Sequence, residues 1–216
     1  IKGAAALSEH MQIARDLYLL EYTGGKLHIP TISTATSVKL IKEAKKKGLQ
    51  VSCSVSAHHL ILTDAELEAF DSNIKVTPPL RTKNDTKAPL KGLKDGVIDI
   101  ITSDHNPIDV EHKKLEFSLA KDGTIGLESL FGSVNSVLDL EITIKALTIN
   151  PRAILNQKPI TIKKDTVANL TLFNPKGTSV FLKENILSTS KNSAFLGKKL
   201  KGTVYGIFAN KKLVLN

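Results

Sequence analysis

The sequence predicts an α/β chain, with parallel strands joined by crossover helices over residues 1–155 and a smaller β-rich module over 156–216. Three observations carry this. Strand-like and helix-like stretches alternate through the first 155 residues. The run Val97-Ile98-Asp99-Ile100-Ile101-Thr102 has the apolar, β-branched composition of a strand buried on both faces, and it stops abruptly in Ser103-Asp104-His105-Asn106-Pro107. Beyond residue 155 only short β-type runs remain, separated by Gly, Asn, Pro and Lys turns.

Residues 8–23 read as a helix, with Ser8 available as its cap and Ile13, Leu17 and Leu20 at helical spacing; Gly24-Gly25 ends it. Lys26–Ile32 is a short strand. Ser33-Thr34 opens a second helix whose apolar stripe is Val38, Ile41 and Ala44 and whose stop is Gly48. Gln50–Val55 is the next strand and runs into Ala57-His58-His59. Thr63-Asp64-Ala65-Glu66 has capping-box spacing for a short helix. Ile74–Val76 reads as a further short strand. A helix follows at about 86–95, with Pro89 in its first turn. After the strand 97–102, a long loop spans 103–125. Helices are then expected at about 126–138, 141–148 and from Asn150-Pro151. The later strand-like runs are 160–162, 170–173, 179–182, 203–209 and 211–215.

The 216 residues, 41% of them hydrophobic, suffice for one or two domains. The first residue is Ile1 and the only methionine is Met11, so the chain reads as a piece of a longer protein. No apolar run approaches the ~20 residues of a membrane span. The single cysteine, Cys53, excludes an internal disulfide and fits a reducing, cytoplasmic setting. The net charge of +9 comes largely from lysines on helix faces and in the tail. With aromatics at 5% and no arginine cluster, this reads as a solvated surface, not a nucleic-acid footprint.

Asp104 and His105 sit where a buried strand meets its loop, the edge at which α/β folds bind ligands and do chemistry. The same residues would also serve as a polar turn that only ends a strand.

A series of ordered motifs resembles the C-terminal half of the bacterial dihydroorotases, members of the amidohydrolase superfamily. Met11–Glu21 is similar to that family's M-x-A-R-D-L-x-L-A-E helix, Leu27–Thr34 to H-V-x-H-V-S-T, and Val55–Leu62 to V-T-P-H-H-L-x-L. Val76–Arg81 is similar to x-N-P-P-L-R, Ile101–Pro107 to A-T-D-H-A-P, Gly123–Glu128 to G-x-x-G-L-E, and Lys191–Gly197 to K-N-T-P-F-x-G. The resemblance implies the C-terminal half of a TIM-type (β/α)8 barrel, with a β-sandwich built from both chain ends. It implies one or two zinc ions at the strand ends, and interconversion of N-carbamoyl-L-aspartate and L-dihydroorotate in pyrimidine synthesis. It makes Asp104 the catalytic, metal-binding carboxylate that shuttles the proton.

Several positions depart from the family pattern. Its metal-binding histidine falls on Thr31, and a neutral hydroxyl is a poor zinc ligand. His28, an odd number of strand residues away, points to the other face. The substrate-binding positions of the family fall on Thr77 and Ile108; Gly123 is kept, although Lys121-Asp122 replaces the Pro-Phe before it. His58 and His59 are expected to support the site by hydrogen bonding, with at most one facing it, because adjacent strand residues point to opposite faces. His105 is expected to orient Asp104 or pack behind it, Arg81 and Glu128 to anchor loops as ion pairs, and His10 and His112 to lie on the surface.

Two functions follow. One is a dihydroorotase-like cyclic amidohydrolase acting on dihydroorotate or carbamoyl aspartate, supported by Asp104. The other is a non-catalytic homologue serving aspartate carbamoyltransferase as a structural or regulatory partner, supported by Thr31, Thr77 and Ile108. A homo-oligomer is expected in either case. Expressed alone, the half barrel should aggregate or dimerise through the free edge of strand 26–32.

Overall fold

The computed structural model describes residues 4–216. Its first part alternates as the sequence requires: α1 (Ala6–Thr23), β1 (Leu27–Ile29), α2 (Ala35–Lys46), β2 (Val51–Ser56), α3 (Ala57–Ile61), α4 (Lys83–Lys94) and β3 (Ile100–Thr102). The three strands form a parallel sheet in the order β1-β2-β3, with Ile29 opposite Cys53 and Val55 opposite Ile101. Helix α1, which leads into β1, and the crossover helix α2 each bury one apolar stripe. Ile13, Leu17 and Leu20 of α1 and Val38, Ile41 and Ala44 of α2 pack with Val51, Cys53, Val55 and Ile101 in one core. Ile41 and Cys53 are fully enclosed. Truncating such an aliphatic side chain costs about 2–5 kcal/mol.

Short helices follow: α5 (Val110–Lys113), α6 (Leu130–Val134), α7 (Leu140–Ile144) and α8 (Asn150–Ile154), the last two joined by a π-helical turn, Lys145–Ile149. The remaining strands, β4 (Leu170–Val180), β5 (Lys199–Ala209) and β6 (Lys212–Leu215), form an antiparallel sheet in that order. A second core joins this region to the first part. Leu62, Val76, Leu80 and Ile125 pack with Phe181, Ile186, Phe195 and Leu200.

Several expectations need correction. Ile74–Val76 is not a strand: Ser72–Ile74 is a 3-10 turn, and the described parallel sheet has three strands where four or so were expected. The helix expected from residue 86 begins a turn earlier, because the Thr82 hydroxyl accepts from the Asp85 N–H and caps it; Pro89 therefore lies inside the helix. Thr63 precedes a 3-10 helix, Asp64–Ala69, but its side chain makes no cap bond. The helix read at 126–138 is regular only over Leu130–Val134, and the loop after β3 contains α5. Residues 160–162 form no strand, whereas the run at 170–173 and the first half of the run at 179–182 belong to one strand, β4, broken by register shifts against β5; residues 181 and 182 lie beyond it. The described residues supply one antiparallel sheet here.

Candidate functional site

Thr31, His58 and Asp104 each lie just beyond the C-terminal end of a parallel strand: Thr31 follows β1, His58 follows β2 and Asp104 follows β3. Thr31 and Asp104 have φ of +46° and +47°. A left-handed backbone is unusual for any residue with a side chain and most of all for a β-branched one, and such strain concentrates at functional positions. The Thr31 N–H donates to the Ser54 hydroxyl on β2 (3.1 Å), which fixes this turn.

His58 and His59 do not continue the strand. Ser56 caps α3 by accepting from the His59 N–H, so both histidines sit in the first turn of a helix and both are buried. The pattern V-S-A-H-H after a strand contains that cap, a serine followed by a helix, and this was the signal available in the sequence. His59 is held at both ring nitrogens: Nε2 donates to the Pro78 carbonyl (2.9 Å), which leaves Nδ1 to accept from the Ser56 hydroxyl (2.7 Å). Burial pushes its pKa down to about 4.

His58 is held differently. Its Nε2 has no hydrogen-bond partner, although its side chain is 1% exposed. The nearest charge is Asp104 Oδ2 at 3.6 Å. Burial, and then the neighbouring His59, hold the His58 pKa well below the usual histidine range. Burial raises the pKa of Asp104 above the usual carboxylate range. A neutral imidazole therefore faces a carboxylate whose proton affinity is increased.

His105 does not orient Asp104. Its Nδ1 accepts from the backbone N–H groups of Gly126 and Leu127, at 3.2 and 3.4 Å, so it supports the loop after residue 125. His28 bonds the Ser52 hydroxyl across the β1–β2 pair, at 2.8 Å. His10 is partly buried against the Thr34 hydroxyl, not a free surface residue, whereas His112 pairs with Asp109 in solvent. Glu128 accepts from the Ser188 N–H and hydroxyl instead of forming an ion pair.

The substrate-type positions lie in a second cluster of loops. The Thr77 hydroxyl donates to Asp122 Oδ2 (2.6 Å). Gly123 has φ +140°, and a Cβ there would meet Asn106 Nδ2 at 2.7 Å. Asn192, a residue to which the sequence reading gave no role, ties this cluster together. Its amide nitrogen donates to the carbonyls of Asn106 and Gly123 (both 3.2 Å), and its oxygen accepts from the Ile108 N–H (3.2 Å). Behind them, Glu9 of α1 accepts from the Ser33 N–H and hydroxyl and from the Ser37 hydroxyl, with Arg81 at 3.6 Å. Burial alone would raise the Glu9 pKa, but the bonds from Ser33 and Ser37 and the Arg81 charge outweigh it and lower it. Arg81 thus anchors α1 to the loop before α4.

A zinc centre takes three or four converging protein ligands. Among the described residues no group of three His, Cys, Asp or Glu converges. His58 and Asp104 offer two donors, and Thr31 adds only a hydroxyl. The residues of this chain do not by themselves fit a zinc ion.

No family model matches the chain. Curated relatives match it along nearly all its length. It is 43% identical to a dihydroorotase of Carboxydothermus hydrogenoformans, over 99% of this chain and 53% of that protein. It is 40% identical to a dihydroorotase of Caldicellulosiruptor saccharolyticus, over 99% of this chain and 51% of that protein. The chain thus spans about half the length of the curated relatives it matches. Among solved structures, the L-hydantoinase of Arthrobacter aurescens superposes with a TM-score of 0.90 at 24% identity, over 98% of this chain and 49% of that one. The inactive dihydroorotase-like domain of the Chaetomium thermophilum CAD-like multifunctional protein superposes with a TM-score of 0.70 at 23% identity, over 93% of this chain and 54% of that one. These likenesses establish an α/β fold of the amidohydrolase type.

Proposed function

The chain belongs to the dihydroorotase family, and from that premise we propose that it forms the C-terminal half of a TIM-type amidohydrolase barrel whose catalytic site has decayed. Residues 1–155 contribute to the barrel. Residues 156–216 contribute one sheet of a β-sandwich completed by the other end of the full protein. The protein serves the cytoplasmic pyrimidine pathway as a non-catalytic partner, with aspartate carbamoyltransferase as the enzyme it supports.

The observation that carries this is the pairing at the strand ends. Asp104 faces a buried, neutral His58 at 3.6 Å, and the position that should supply a further ligand is Thr31. Two donors hold a metal weakly, because every missing ligand forfeits binding free energy. The substrate positions have changed as well. Thr77 spends its hydroxyl on Asp122, and Ile108 offers only a backbone N–H, already used by Asn192. The occurrence of a similar fold as an inactive domain within a multifunctional protein supports the same reading.

One observation favours retained catalysis. The raised proton affinity of Asp104 suits a general base, which must take a proton from the attacking water and return it to the leaving amide nitrogen. Metal analysis of the full-length protein, together with a dihydroorotate hydrolysis assay with added zinc, separates the two readings. The non-catalytic reading expects well under one zinc per chain and no hydrolysis above background. It also expects Thr31→His alone to restore nothing, since Thr77 and Ile108 still lack substrate contacts. Stoichiometric zinc, with activity abolished by Asp104→Ala, would restore the enzyme.

A further inference from the structure

The stretch between α5 and Gly123 is tied to the fold by two lysines. Lys113, the last residue of α5, is 5% exposed, and lysines are rarely buried so deeply unless they are paired. Its partners are carbonyls, not carboxylates. The Nζ donates to the carbonyls of Ser72 (2.6 Å) and Lys121 (2.9 Å), and the Lys113 carbonyl accepts from the Ser72 hydroxyl (2.6 Å). Lys75 repeats the pattern nearby. Its Nζ donates to the carbonyls of Ser118 (3.1 Å) and Ala120 (2.7 Å) and lies 5.5 Å from the centre of the Phe117 ring. The two ammonium groups thus bind the carbonyls of Ser118, Ala120 and Lys121 against the turn at 72–75.

This stretch ends at the candidate site. Asp122 accepts from the Thr77 hydroxyl, and the Gly123 N–H donates to the Lys75 carbonyl (2.8 Å). The next residue, Thr124, bridges to His105, and its carbonyl accepts from the Asn106 N–H (2.8 Å). The loop that begins at Asp104 is therefore seated on the end of the stretch that Lys113 holds.

We propose that residues 114–122 form a releasable strap, latched by Lys113, that fixes the loop beginning at Asp104 and tightens when Lys113 gives up its proton. The neutral amine keeps two N–H donors, enough for the carbonyls of Ser72 and Lys121, and no longer carries the cost of burying a charge. Burial pushes the pKa of the latched Lys113 down to about 8; the charges of Asp122 and Asp71 oppose this, and that of Lys75 assists it. A released Lys113 returns to the ordinary 10.5. Below pH 8 both forms are protonated, and closure bears the full burial cost. From 8 towards 10.5 the latched form alone loses its proton, and closure strengthens. A lysine held by a carboxylate behaves in the opposite way and weakens as the pH rises. The strap acts whether or not the site is catalytic.

Hydrogen exchange in the full-length protein tests this, read as protection factors corrected for the intrinsic rate at each pH. Above pH 8, protection of the Gly123 and Asn106 amides is expected to rise about tenfold per pH unit, a rise that the amides of β2 do not share. In Lys113→Met, which has no proton to lose, both profiles are expected to be flat. Ala120→Cys gives a second readout, because residue 120 is 3% exposed within the strap. Its labelling by a thiol reagent, relative to a free thiol at the same pH, is expected to slow over the same range, while the buried Cys53 stays silent. Flat or falling protection at Gly123 in the wild type would overturn the proposal. So would an equal rise in Lys113→Met, a rise shared by β2, or an Asn106 amide that does not follow Gly123.

Discussion

His59 is fixed in its neutral form by the Pro78 carbonyl, the Ser56 hydroxyl and burial, and its pKa falls to about 4 from an ordinary 6.5. The unfolded chain therefore binds more protons between those values. Stability is fully present above about pH 6.5 and is lost as pH falls towards 4, by an amount on the order of 3 kcal/mol. Urea melts of wild type and His59→Gln across this range should show a steep pH dependence in the first and a shallower one in the second. Gly123 is a second residue with a single solution. At φ +140°, and with Asn106 against the place of a Cβ, Gly123→Ala should cost about 1–3 kcal/mol in a denaturation experiment. An unchanged midpoint would mean that the Asn106 loop yields freely.

The loop elements that carry Ile108 and Gly123 depend on a residue from a distant stretch of chain. Asn192 bonds Asn106, Ile108 and Gly123 from a position more than 65 residues away in sequence. Asn192→Ala should leave two carbonyls and an N–H without their partner and destabilise by about 2–4 kcal/mol. Hydrogen exchange should show faster protons first at Ile108 and in the neighbouring loop, with β2 unaffected. Uniform acceleration across the chain would mean instead that the bond network is part of the global core. Helix α4 illustrates the opposite case, an element set by its own residues. Its start lies in Thr82-Lys83-Asn84-Asp85, a local cap two turns before the proline at position 89.

For the whole molecule, the parallel sheet of three strands leaves β1 paired on one side only. A parallel edge of this kind exposes unpaired N–H and C=O groups and invites another strand. Residues 1–216 expressed alone should therefore aggregate or dimerise through that edge. A soluble monomer that melts cooperatively would show that the three-stranded sheet is stable with its β1 edge unpaired.

What the sequence by itself determined was local in origin. The apolar stripes of α1 and α2 and the Thr34 cap follow from side-chain period and backbone chemistry and lie at the expected places, whereas the strand read at 97–102 is kept only over Ile100–Thr102, with Ile101 buried and its two neighbours half-buried. The order of the family motifs was equally legible, because ancestry is written along the chain. Only the tertiary structure decided which side chains meet. His58 came to face Asp104 because Ser56 turns the chain into a helix, and no strand alternation could have shown it. His105 left the site because two backbone N–H groups from residues 126 and 127 claimed its ring nitrogen. Asn192 entered because the second core brings the late loop beside residues 106–124. Periodicity reports which face of an element is apolar. It does not report which polar atoms will find partners across the fold, since that depends on contacts between residues far apart in the chain.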